Sequence, residues 1–94
     1  MSELSTFTGT VEVFDLEMGW HYVSVPTELV DPWRHRAERG LIAITAHLGE
    51  HSWSTSLLPK GDGTHFIALA APLRKKAGIT VDDSVTLSFE PRIR

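Results

Sequence analysis

The chain contains no cysteine. Disulfides, thiolate metal centres, iron–sulfur clusters and a cysteine nucleophile are therefore excluded. Long hydrophobic runs are missing as well. The longest, Phe66-Ile67-Ala68-Leu69-Ala70-Ala71, falls far short of the roughly 20 residues that a bilayer requires, so no membrane partner is expected. Met1-Ser2-Glu3-Leu4-Ser5 has neither a basic n-region nor an apolar h-region. The expectation is a chain without a signal peptide, in the cytoplasm. Positive charge is not in excess: nine Lys and Arg stand against twelve Asp and Glu, a net charge of -3 with His neutral. That balance does not favour a dedicated nucleic-acid binder. The second half is different, because residues 48–94 hold six basic and five acidic side chains, against three and seven in residues 1–47. A local basic patch remains open there.

What is present is the composition of one ordinary domain. The 94 residues are 41% hydrophobic and 22% charged, which excludes long disorder and low-complexity chains. The length allows one core, so residues 1–94 are read as a single domain with its core over about residues 5–90. Six segments have strand character. Thr6–Phe14 is rich in β-branched and aromatic residues and places Phe7, Val11 and Val13 on one face. Trp20–Val25 follows after a loop at Asp15–Gly19. Leu41–Leu48 and His51–Leu58 flank Gly49-Glu50, where glycine suits the first position of a primed hairpin turn. Thr64–Ala70 follows the turn signal Pro59-Lys60-Gly61-Asp62-Gly63, and Ser84–Glu90 alternates cleanly before Pro91 ends it.

Two short helices are predicted, after a proline-started helical turn at Pro26–Val30 that Pro32 makes short or forces to restart. Asp31 is in position to cap one over Pro32–Arg39, with Gly40 closing it. The other covers Ala71–Gly78, with Pro72 near its start and Lys75 and Lys76 in its last turn, against the negative end of the helix dipole. The order hairpin, proline-started helix, strand occurs twice, as in a weak internal duplication. With no parallel βαβ signature, the pattern favours a mainly β, closed six-stranded barrel, which removes exposed strand edges. Since both halves lie in one chain, a monomer is expected to close its own barrel, with a homodimer only as a weaker association.

Gly19–Pro26, Ser52–Phe66 and Leu73–Ile79 together resemble the bacterial family called domain of unknown function 1905, over about residues 5–90. The Trp53-Ser54-Thr55-Ser56-Leu57 stretch followed by the Arg74-Lys75 helix carries most of the likeness. One departure is Asp82-Asp83, where the family usually has Gly-Asp; aspartate tolerates a left-handed backbone better than most residues. The resemblance implies a double-split β-barrel, distantly AbrB- and MazE-like, and no established activity.

Several side chains could carry chemistry. Trp20, Tyr22, Trp33 and Trp53 are large for so small a domain, with Trp20 and Tyr22 on one strand face. Core packing explains most such aromatics, and Trp53, beside Thr55 and Leu57, is expected to be mostly buried. The functional alternative is a partly open aromatic wall beside Arg74 and Lys75, holding a planar or anionic ligand. Ser52, Ser54 and Ser56 could order water or a small polar ligand, but no nucleophile elbow surrounds them. His47, Glu50 and His51 could offer metal donors, yet nothing nearby supplies a fixed further ligand. No metal, cofactor or catalytic residue is expected. The candidate ligand-binding residues are Trp20, Tyr22, Trp53, Thr55, Ser56, Arg74 and Lys75. The leading expectation is a non-enzymatic module that binds a small molecule or a protein. The alternatives are an AbrB-like DNA-binding regulator acting through Arg74-Lys75-Lys76, and a small enzyme.

Overall fold

Among the described residues, 4–14 and 19–92 of a computed structural model, seven strands and two short α-helices wrap into a nearly closed barrel. In chain order they are β1 (Ser5–Thr10), β2 (Glu12–Val13), β3 (His21–Val25), α1 (Thr27–Val30), β4 (Ile42–Leu48), β5 (His51–Pro59), β6 (His65–Ala68), α2 (Ala71–Ala77) and β7 (Ser84–Pro91). All pairings are antiparallel, in the order β1-β7-β4-β5-β6-β3-β2. Because β1 runs into β2, the two ends of this order are joined by the chain itself.

That junction is why there are seven strands and not six. The segment expected as one strand bends at Val11. Its first half pairs with β7 and its second half with β3. Val11 itself turns to the loop before β7, donating to the Asp83 carbonyl at 2.9 Å and accepting from the Asp82 amide at 2.8 Å. Asp82 stands at φ 74, a left-handed position that aspartate tolerates better than most residues. After the bend, alternation restarts out of phase. Phe7 and Val11 are buried, but Val13, expected on their face, is exposed. Gly9 lets β1 cross close over β3: an added Cβ would stand 2.6 Å from Val23 Cγ1.

The first helix also departs from expectation. Pro26 precedes a single α-turn, α1, which continues into a 3-10 helix at Asp31–Arg36. Asp31 is helical and caps nothing; its carboxylate instead accepts from Arg34 Nε at 2.6 Å. The helix cannot extend to Arg39, because Glu38 and Leu41 bridge across a tight turn in which Arg39 and Gly40 both have positive φ. The other differences are at strand ends. Pro59 and Pro91 each finish a strand, and β6 is shorter than the segment read for it. The loop expected at Asp15–Gly19 lies mostly outside the described residues.

The core fills the barrel from alternate positions of each strand. Val23, Ile44, Leu57, Ile67, Leu87 and Phe89 are fully buried, with Phe7 set edge-on to Phe89. The ladder between β4 and β5 is continuous from Leu48–His51 to Ile42–Leu57. On its other side β5 pairs with β6 only at Leu58–Phe66 and Pro59–His65. The next pairs in that register, Leu57 with Ile67 and Ser56 with Ala68, do not form. There the barrel wall splits. The cause is local: β6 ends at Ala68 and α2 begins at Ala71, with Pro72 in its first turn, so the chain leaves the sheet before the ladder can extend.

Candidate functional site

The split opens into a cleft of about 800 Å³, within the size range of small-molecule sites. One wall is the inward face of β5, from His51 to Thr55. The opposite wall is the end of β6 and the first turns of α2, and Gly19-Trp20-His21 closes the rim.

Arg74 is the fixed charge of this cleft. Its Nε donates to the Leu69 carbonyl at 3.0 Å, and its Nη1 donates to His21 Nε2 at 3.3 Å. His21 is oriented in turn by the Gly19 carbonyl, to which Nδ1–H donates at 3.1 Å. A carbonyl can only accept, so the Nδ1 proton is set, and Nε2 is left to accept from arginine. Two bonds therefore hold the guanidinium, and among the described residues its remaining N–H groups have no side-chain or backbone partner. Lys76 also lines the cleft, and Glu50 is the acidic residue at its edge. The site is cationic although the chain as a whole is not.

Of the residues singled out from sequence, Trp20, Trp53, Thr55 and Arg74 come together here. Trp53 packs on the core from one side and faces the cleft from the other, and Trp20 is half exposed at the rim. Three do not join them. Ser56 lies on the opposite face of β5 from Trp53 and Thr55, across from Ala43. Lys75 is exposed outside the cleft, because successive residues of α2 point in different directions.

Tyr22 is the third. The strand begins only at His21, so the alternation does not carry Trp20 onto Tyr22's face. Tyr22 instead stacks on Phe14 at 4.0 Å between ring centres, with Phe66 edge-on to both, on the side of the sheet away from the core. Lys60 covers its ring, with Nζ 4.8 Å from the centroid, and donates to Ser24. Burial pushes the Tyr22 phenol above its usual pKa, and the Glu12 carboxylate, by its charge and its hydrogen bond, pushes it further.

The hairpin histidines separate as well. His47 lies on the outer face and bonds Glu90 at 2.7 Å, whereas His51 lines the cleft. Among the described residues no three His, Asp or Glu gather as a metal site. The sequence reading missed His21 as the partner of Arg74; its one signal was a place in the strand that presents Val23 and Val25 inward.

A nearly closed, mainly β barrel with one cationic, tryptophan-walled cleft is the class of protein that these features define. Its family is identified by the family model described as Domain of unknown function (DUF1905), which matches residues 7–89. The chain belongs to that family. No curated protein matches it. Among the described residues, no helix is long and apolar enough to cross a membrane.

Proposed function

We propose that this chain is a non-enzymatic binding module of the cytoplasm, and that the cleft is where it binds a ligand with an anionic group and a flat or apolar body. One observation carries the reading: the Arg74 guanidinium is held by Leu69 and His21 in a cleft that Trp53 also lines. A preoriented guanidinium gives a carboxylate or phosphate charge-assisted hydrogen bonds. Tryptophan supplies the apolar area.

The cations of α2 support this reading over DNA binding. Arg74 and Lys76 serve the cleft, and Lys75 alone remains on the outside. A monomer suffices, because the cleft is built within one chain.

Tryptophan fluorescence and thermal shift, with indole-3-carboxylate, benzoate and adenosine monophosphate as probes and duplex DNA as control, test the proposal. At least one anionic probe should bind saturably. Arg74→Gln should weaken it by about tenfold or more, the worth of a hydrogen bond to a charged group. Binding that ignores Arg74, salt-sensitive binding of DNA alone, or no binding of any probe at millimolar concentration would overturn it.

A further inference from the structure

The two edges of the split carry unused backbone groups. In an antiparallel ladder, a strand's N–H and C=O groups point alternately to its two neighbours. Lys60 N–H donates to Thr64 across the turn into β6, and Leu58 pairs with Phe66. Even-numbered residues of β5 therefore face β6. The same parity follows from the other side: Ala43, opposite Ser56, gives its carbonyl to Arg92 after β7, so Ser56 cannot share its own groups with β4. The backbone groups of Ser52, Ser54 and Ser56 point into the split, and among the described residues none of them has a ladder partner. Facing them, Ala68 is in the same position on β6, because Leu69 is turned to His21 of β3.

We propose that the ligand of this cleft is the C-terminal end of an extended peptide, added as a strand along the free edge of β5. The inference rests on the binding reading above and names the ligand class. Strand addition uses main-chain hydrogen bonds for affinity. The edge from Ser52 to Ser56 spans ~13 Å at about 3.3 Å per residue, room for a few peptide residues. Two features select a chain end. The split is closed by the Leu58–Phe66 pair, so a strand cannot run through it. Arg74, which lines the cleft, is anchored on Leu69, the residue after Ala68, so a terminus lying along the end of β6 meets a guanidinium. A carboxylate fits it and an amino group does not. The peptide therefore places its carboxyl end in the cleft, with its apolar side chains against Trp53 and Leu73.

The test is selection from a random peptide library displayed with free C-termini, followed by titration of the selected peptides as acids and as C-terminal amides. Free acids should be enriched, and the amides should bind about tenfold more weakly or worse. Amide hydrogen exchange should slow at Ser54 and Ser56 when peptide binds. Ser54→Pro removes an edge donor without breaking the ladder to β4, a position where strands accept proline. It should lose peptides while retaining any small aromatic carboxylate that the cleft takes. No enrichment, equal binding of acid and amide, or unprotected Ser54 and Ser56 amides would overturn the peptide inference. If an Arg74-dependent small carboxylate still bound, the broader reading would survive. If Ser54→Pro failed to fold, the exchange measurement on the unaltered chain would decide.

Discussion

The barrel's two sheets meet at two corners, and the corners are built differently. At Val11 one chain segment serves both sheets, and the bend is closed by reciprocal hydrogen bonds with Asp82 and Asp83. Gly9 allows β1 to press directly on β3 there. At the β5–β6 corner the strands pair at Leu58 and Pro59 and then part. Side chains line the gap where the ladder stops: Trp53 from β5, and Leu69 and Leu73 from the other wall. The first corner leaves no room, and the second leaves a cleft with a held cation in it. The tight corner and the proposed binding cleft therefore stand at opposite corners of one small barrel, which follows from where β6 stops and α2 starts.

The largest effect that sharpens this contrast is in the core. Phe89→Ala removes a fully buried ring on the continuously paired side and should cost about 3–5 kcal/mol in denaturant unfolding. Trp53→Ala removes a larger ring that faces the cleft on one side, and its cost should be about 2–3 kcal/mol, because water already reaches part of it. Equal losses would mean that Trp53 is an ordinary core residue and that the second corner is as closed as the first.

The next largest effect concerns the tight corner. Gly9→Ala places a methyl group against Val23 and within reach of Phe7. Overpacking of this kind should cost about 1–3 kcal/mol, although Gly9 has an ordinary negative φ and alanine is the better strand residue. A neutral or stabilising result would show that β1 can lift from β3, and the contrast between the corners would weaken. Cleft binding of the aromatic carboxylate probes should be unchanged in this variant.

Much of this architecture was legible in the chain because it is written locally. Ser84–Glu90 alternates and forms β7 on that alternation. Gly49-Glu50 joins β4 to β5 with Gly49 at positive φ, as a primed turn requires. Asp82 takes a left-handed backbone, which aspartate tolerates. What was not legible is set by distant partners. The bend at Val11 depends on Asp82 and Asp83, some seventy residues away. The 3-10 helix Asp31–Arg36 that stands where an Asp31-capped helix was expected is cut short by the Glu38–Leu41 turn. The site was legible by residue type and not by grouping. Arg74 and Trp53 were visible as candidates, but the His21 that orients Arg74 lies 53 residues from it. Tyr22 and Ser56 fell outside because a one-residue shift along a strand reverses the face.

The smallest expected effect tests whether the closed end of the second corner is independent of its open end. The turn between β5 and β6 is held by Asp62, whose Oδ1 accepts from the amide of Thr64 at 3.0 Å and from its hydroxyl. Those hydrogen bonds to Thr64 hold the Asp62 carboxyl below its ordinary pKa. A carboxyl lowered on folding contributes its stabilisation above the unfolded value of about 3.9 and loses it as pH falls through the folded value. Acidification below the ordinary carboxylate range should therefore release the Thr64 amide, read as a downfield-to-random-coil change in its proton shift. The group is fully exposed, so global unfolding should scarcely respond. The Ser54 and Ser56 amides, already without ladder partners, should show no change over the same titration. If they move together with Thr64, the turn sets the width of the split, and the two ends of that corner act as one unit. If Thr64 moves alone, the cleft owes its opening to the early start of α2 at Ala71 and not to the turn.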